Sequence, residues 1–356
     1  MKNLKPGKQI SYHQKNKLKV SVFGLGNFGF ALLKHLTKKI NKDQFTLHAY
    51  DKDETVRKSL KKKRQHSFLH PGILISKNVT IEDTPKNLID KTDILILAVT
   101  SSAIKKVINS IKPHISKKII IVNTAKALEA KSGERFSSVI SNCLKNTKHS
   151  FSIAMLAGGT IARDLFRREP LGIDIASRNK KTLKILKEIF TSDNLDVYTT
   201  TDLNGVEYAA AFKNVISIFA GLMKGLGFSY GSETHIISRT AGEVKKLVVK
   251  SLGGKEKTFS NKSQCWGNDM WMSATGNTRN REFGILLGRG YSPQKALTEM
   301  TKEGKTVEGI NTVKAIKKII KNKEHKFPLL YSASEVILNN KDPRKTILNL
   351  MKSNKI

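Results

Sequence analysis

The chain has 356 residues, 39% of them hydrophobic, and carries 64 Lys and Arg against 29 Asp and Glu, a formal net charge of +35. That length exceeds what one hydrophobic core usually supports and predicts two domains, while the periodic grouping of the apolar residues argues against a disordered chain. Its two cysteines, Cys143 and Cys265, are far apart and outside any CxxC or metal-type spacing, so neither a disulfide framework nor a metal site is expected.

Residues 1–17 (MKNLKPGKQISYHQKNK) read as a basic tail without the apolar core of a signal peptide, and no run approaches the roughly 20 apolar residues of a membrane span. A cytoplasmic protein without a transmembrane segment is expected. Short β-rich runs then alternate with helical stretches: LKVSVFG (18–24), FTLHAYD (45–51), DILILAV (93–99), KIIIVNTA (118–125), SIAMLAG (152–158), LGIDIAS (171–177) and LDVYTT (195–200). Several are apolar on consecutive residues, as strands are when helices cover both faces of a parallel sheet. The fold class that follows is α/β, with a Rossmann-type doubly wound domain over residues 18–203.

Directly after the first run comes GLGNFG, followed by a helical stretch over 30–39. In that strand, turn and helix context Gly24 permits the tight turn, Gly26 lets the backbone approach a pyrophosphate, and Gly29 lets helix and strand pack closely. Asn27 and Phe28 complete the turn at the helix N-terminus, where a pyrophosphate would rest on backbone amides. Asp51 closes the second run about 20 residues beyond the last glycine, the place of an acid that bonds the adenosine ribose. Its neighbour Lys52 could receive a 2′-phosphate, but the Asp51 carboxylate would repel one, so of NAD and NADP the first is favoured.

After about Thr201 the β-rich runs end and helix-length apolar patterns continue to Leu350, which predicts an all-helical domain over 204–350. Its first stretch, VEYAAAFKNVISIFAGLMKGLGF (206–228), sets Lys213 and Asn214 in mid-helix among apolar and small residues. A poorly hydrated ammonium loses part of its preference for the charged form and becomes a usable proton donor or acceptor. The alternative is a lysine whose stem lines the core while its head reaches water. The surplus of lysine is spread over the whole length with no basic motif carrying stacking aromatics, so no nucleic-acid partner is expected; the charge would rather draw in small anions such as phosphorylated substrates. Oligomeric state stays open, with a second copy of the chain as a candidate partner.

Seven blocks in order carry a resemblance: GLGNFGFA (24–31), FLHPGILI (68–75), NTAKALE (123–129), LAGGTIARD (156–164), GVEYAAAFKNVISIFAGLMKGLGF (205–228), TGNTRNREFG (275–284) and VEGINTV (307–313). Over residues 18 to about 350 the chain resembles the bacterial NAD(P)-dependent glycerol-3-phosphate dehydrogenases. The resemblance implies reversible hydride transfer between dihydroxyacetone phosphate and sn-glycerol 3-phosphate, supplying the backbone of phospholipids. It makes Lys213 the general acid/base, Lys126 the lysine that reaches cofactor and substrate, and Asp269 the carboxylate that orients Lys213 or a substrate hydroxyl. It gives Thr278, Arg279 and Asn280 to the substrate phosphate, with Arg279 also near the cofactor pyrophosphate. Gly158, Thr160 and Ala162 become a small-residue loop near substrate and nicotinamide, and Glu308 a cofactor contact.

Four departures from the family pattern stand out. The approach to Asp269 reads Trp266, Gly267, Asn268, where a small apolar turn is usual, and the following loop is one residue short. Ala127 replaces a glycine, and Gly159 replaces a proline. The proton-transfer groups persist, which predicts an active enzyme. Two other readings remain at this point: a related dehydrogenase of another hydroxy substrate, and a diverged dinucleotide-binding protein without catalysis.

Overall fold

A computed structural model describes residues 17–40 and 45–352; residues 1–16 of the basic tail lie outside them. The first half runs β1 (Leu18–Phe23), α1 (Asn27–Ile40), β2 (Phe45–Tyr50), α2 (Glu54–Lys63), β3 (Val79–Ile81), α3 (Pro85–Ile89), β4 (Ile94–Leu97), α4 (Ile104–Ile111), β5 (Ile119–Asn123), α5 (Phe136–Leu144), β6 (Phe151–Ala157), α6 (Ala162–Arg167), β7 (Leu171–Ser177), α7 (Lys180–Phe190) and β8 (Leu195–Thr200). The strands form one sheet in the order β3-β2-β1-β4-β5-β6-β7-β8. Every residue of β4 and β5 is buried, because one apolar layer covers each face, with Leu33, Phe45 and Phe190 in one layer and Leu95, Ile108 and Ile140 in the other. The connections leave β1 toward β2 on one side and reach β4 on the other, which opens a crevice at the carboxyl ends of these strands.

Two features differ from the sequence reading. An additional three-residue strand, β3, adds to the edge beside β2. More consequentially, β7 runs antiparallel to β6, pairing Ala154 with Ser177 and Ala157 with Asp174. The link between them, residues 158–170, has only the six residues of α6 as helix, about 9 Å. That helix is too short to serve as a crossover along the seven residues of β6, about 23 Å. The chain therefore turns and descends, and the start of β7 stays beside the end of β6.

The second half is helical: α8 (Leu203–Gly225), α9 (Tyr230–Ser251), α10 (Asp269–Thr275), α11 (Arg279–Gly288), α12 (Pro293–Lys302), α13 (Gly309–Ile319), α14 (Pro328–Asn339) and α15 (Pro343–Lys352). The Asp202 carboxylate caps α8 by accepting from Gly205 N–H at 2.9 Å. Among the described residues α8 is the one helix long and apolar enough to cross a membrane, yet 94% of that stretch is buried inside the protein. Its apolar surface is the core of the helical half, where Phe212, Ile216 and Phe219 meet Phe283, Val313 and Leu330. Against α11 the backbones themselves touch: a Cβ on Gly221 would collide with the Arg281 carbonyl, and one on Gly284 with the Ile218 carbonyl. This close crossing brings the first turn of α11 beside the middle of α8.

Candidate active site

The glycine turn is built for close approach. Gly24 has φ +94°, and a Cβ there would lie 2.7 Å from the Ala98 carbonyl oxygen, while one on Gly29 would strike the Gly24 carbonyl. Only glycine meets both demands. Gly26 is the opposite case: a Cβ there would meet nothing within 4 Å, and both Gly26 and Asn27 are exposed at the N-terminus of α1. This open space over unpaired helix amides suits a pyrophosphate, so the residues present fit a dinucleotide. Asn27 is held by His70, whose Nε2 lies 2.8 Å from its Oδ1; Phe28 packs half-buried against the sheet layer. Asp51 accepts Leu25 N–H at 2.6 Å on one oxygen and Asp53 N–H at 2.9 Å on the other. It thus ties β2 to the glycine turn and keeps a lone pair on each oxygen for ribose hydroxyls. Lys52 beside it is exposed.

The chemical centre forms where the halves meet. Lys213, 7% exposed in the middle of α8, donates to Asp269 Oδ1 at 2.8 Å and to Ser273 Oγ at 2.6 Å. Lys126, in the loop after β5, donates to Asp269 Oδ2 at 2.8 Å and to the Gly158 carbonyl at the end of β6. Asp269 has no exposed surface and joins two ammonium groups from opposite halves of the chain. Burial pushes the Lys213 pKa below 10.5, with Lys126 adding to the depression and Asp269 opposing it. Burial alone would raise the Asp269 carboxyl, but Lys126 and Lys213 outweigh it and hold its pKa below 3.8. The result is an ionised acid beside a lysine that gives up its proton more readily than in water.

Around this centre the other expected residues fall at different depths. Thr160 is buried, and its N–H donates to the Gly158 carbonyl at 2.7 Å; Ala162 opens α6 half-buried. Thr278 precedes α11 in extended conformation without capping it, its hydroxyl lying 2.8 Å from the Ser273 carbonyl and 3.0 Å from Ser217 Oγ. Arg279 is exposed at the first position of α11, with no ion pair or hydrogen bond to its guanidinium among the described residues. Asn280 spends its Oδ1 on Gly309 N–H at 3.0 Å, which fastens α11 to the start of α13. Glu308 precedes that helix and lies near enough to raise the Lys213 pKa electrostatically. Thus Lys213, Lys126, Asp269 and Gly158 are in direct contact, Glu308 is within reach of their charge, and Asp51 belongs to the glycine turn.

Sequence reasoning gave no role to three polar residues of the centre, although it singled out Asn214 beside Lys213. Ser273 accepts from Lys213. Asn214 donates to the Lys126 carbonyl at 3.2 Å and so fixes the backbone of the second lysine. Ser217 donates to the Ser273 carbonyl at 2.6 Å and binds α8 to α10. A signal existed for two of them: Ser217 and Ser273 lie four residues after Lys213 and Asp269, the spacing that shares a helix face.

The family description "NAD-dependent glycerol-3-phosphate dehydrogenase N-terminus" matches residues 19–183, and its C-terminal counterpart matches residues 202–348. The glycerol-3-phosphate dehydrogenase [NAD(P)+] of Fusobacterium nucleatum is 33% identical over 334 residues, covering 94% of this chain and 96% of that protein. The enzyme of the same name from Francisella tularensis subsp. novicida is 31% identical over 95% of this chain and 97% of its own. Among solved structures, glycerol-3-phosphate dehydrogenase of Plasmodium falciparum superimposes with a TM-score of 0.85 at 21% identity, covering 94% of this chain and 95% of that one. The Coxiella burnetii enzyme gives 0.81 at 23% identity, covering 94% and 99%. At these identities the structural likeness concerns the fold.

Proposed function

The chain belongs to the NAD-dependent glycerol-3-phosphate dehydrogenase family, and on that premise we propose that it reduces dihydroxyacetone phosphate to sn-glycerol 3-phosphate, reversibly, with NAD or NADP. The observation that carries the reading is the buried Asp269 carboxylate bridging Lys213 and Lys126 beside Gly158. The sheet half (18–203) serves the cofactor and the helical half (204–350) the substrate. The bound nicotinamide supplies the hydride; the remaining work falls to side chains of this chain. The amides around Gly24, Gly26, Asn27, Phe28 and Gly29 hold the pyrophosphate, and Asp51 the adenosine ribose, which favours NAD over NADP. Ala162 and Glu308 line the nicotinamide end.

At the reacting centre a carbonyl oxygen gains negative charge. Lys213 lies in a site where an ammonium is destabilised by burial, so it stabilises that charge and delivers a proton to the oxygen. Asp269 and Ser273 fix its direction. Lys126, with Gly158 and Thr160, borders the same space, and Arg279 with Thr278 and Asn280 at the start of α11 receives the phosphate, for which a planar guanidinium with no internal partner is well suited. The product feeds phospholipid synthesis, the reaction runs in the cytoplasm, and the enzyme works as a homodimer.

The test is a spectrophotometric assay. Purified protein should consume NADH on addition of dihydroxyacetone phosphate, much less with unphosphorylated dihydroxyacetone, and Lys213→Ala should lower kcat by about 10²–10⁴-fold while the circular dichroism spectrum is kept. Full turnover by that variant removes Lys213 from its role. Equal use of both ketones points instead to a dehydrogenase of another hydroxy substrate.

A further inference from the structure

The backbone does not enter α10 from an ordinary loop. A single π-helical turn, Gln264–Asn268, delivers it, and the next residue is Asp269. Such turns are rare and are found mostly at functional sites, which makes the contacts that hold this one informative. The holder comes from the other half of the molecule. Asp174 on β7, 8% exposed, accepts Cys265 N–H at 2.7 Å and Ser263 Oγ–H at 3.0 Å, both on Oδ2. No cation pairs with it among the described residues, and its Oδ2 meets donors at the entry to the turn.

The far end of the turn is held by shape. Asn268 closes the turn through its N–H to the Ser263 carbonyl at 3.1 Å and donates from Nδ2 to Gln264 Oε1 at 2.8 Å. Both amides rest on glycines of the sheet half: a Cβ on Gly159 would lie 2.6 Å from Asn268 Oδ1, and one on Gly172 would strike the Gln264 amide. Trp266 is stacked edge-on against Phe259 at 4.9 Å. Gly159 and Asn268, two of the departures in the sequence, therefore fit one another. The antiparallel course of β7 is what brings Gly172 and Asp174 next to the end of β6 and hence beside this turn.

We propose that Asp174 is a positioning residue for the reaction: it clamps the turn Gln264–Asn268 from the sheet half and thereby sets the Asp269 carboxylate between Lys126 and Lys213. The kinetic consequence rests on the dehydrogenase reading, whereas the clamp itself does not. Because both donors meet a single oxygen, Asp174→Asn keeps the acceptor and should retain activity within a few-fold of the parent. Asp174→Ala should lose about 10²-fold in kcat, the cost of roughly 1 Å of misplacement at a reacting centre, while the Kd for NADH measured by fluorescence stays within twofold. Its reduction rate should also begin to fall at lower pH than in the parent, since an Asp269 displaced from Lys213 no longer supports the ammonium.

An activity-free readout accompanies these. Cys265 is buried in the clamped turn and Cys143 is partly exposed, so a thiol reagent should label one cysteine quickly in the parent and two in Asp174→Ala. If the parent consumes no NADH with any triose phosphate, the proposed function fails while the labelling still tests the clamp. Should Asp174→Ala not fold, Gly159→Ala takes its place: it should lower kcat several-fold, and adding Asn268→Ala should restore it by vacating the space the new methyl needs. Unchanged kcat, pH profile and labelling in a folded Asp174→Ala overturn the proposal. So does an equal loss of NADH affinity, which would mean general loosening, or no recovery in the double variant.

Discussion

Asp269 offers a way to separate charge from geometry at the scale of one residue. It is fully buried between Lys126 and Lys213, and replacing it by Asn keeps the volume while removing the negative charge. With Lys213 as the proposed proton donor, reduction needs it protonated, so the rate should fall as pH rises through a pKa that burial has already placed below 10.5. With the opposing carboxylate gone, burial and the Lys126 charge act unbalanced and the pKa falls further. The alkaline limb of the pH–rate profile for Asp269→Asn should therefore move to lower pH by about one unit or more. Stability should drop by about 3–5 kcal/mol as well, because the buried Lys213 and the half-buried Lys126 lose their counter-ion. A limb that stays in place would mean that Lys213 does not titrate in the reaction. The lysine was legible in the sequence because a charge in the middle of an apolar helix is conspicuous. Ser273 was not, and Asn214 stood out without a role, since a hydroxyl or amide at a helical position carries no such signal until its partner across the fold is known.

At the scale of elements, the site depends on how closely α11 lies on α8. Gly284→Ala would drive a methyl into the Ile218 carbonyl, backbone that cannot rotate aside, so the helices must part. Overpacking of this kind costs about 1–3 kcal/mol. The same displacement shifts the first turn of α11, which holds Arg279, relative to Lys213 in α8. The variant should therefore melt at lower temperature and show a raised KM for dihydroxyacetone phosphate with its NADH affinity intact; a lower melting temperature with unchanged KM would uncouple the crossing from the substrate site. These helices were visible in the sequence as long apolar patterns, and the strands as consecutive apolar runs, because burial on both faces writes itself into composition. Strand direction does not. The antiparallel β7 goes with the shortness of α6, and the π-helical turn before Asp269 is contacted by Asp174 and two glycines distant in sequence; neither leaves a periodicity to read. β3, three residues long, is too short to show one.

Over the whole molecule the excess of 35 positive charges acts on encounter rather than on chemistry. Its lysines decorate α2 and α7 of the sheet half as well as α13 of the helical half, so no single patch accounts for it, and surface pairs such as Lys61 with Asp83 neutralise only part. A doubly charged triose phosphate approaching such a surface is attracted over about a Debye length, roughly 10 Å at 0.1 M salt and 3 Å at 1 M. Positive potential focused in a cleft raises association by about 10-fold or more. The expected result is that kcat/KM for dihydroxyacetone phosphate falls about tenfold as salt is raised across that range, with kcat nearly constant, because the proton-transfer centre is buried and poorly screened. Unphosphorylated dihydroxyacetone, carrying no charge, serves as the control and should show no comparable dependence. If both ketones respond alike, salt is perturbing the fold or the cofactor site. If neither responds, the charge contributes nothing to capture, and Arg279 with its neighbours at the start of α11 must supply all the attraction for the phosphate at contact distance.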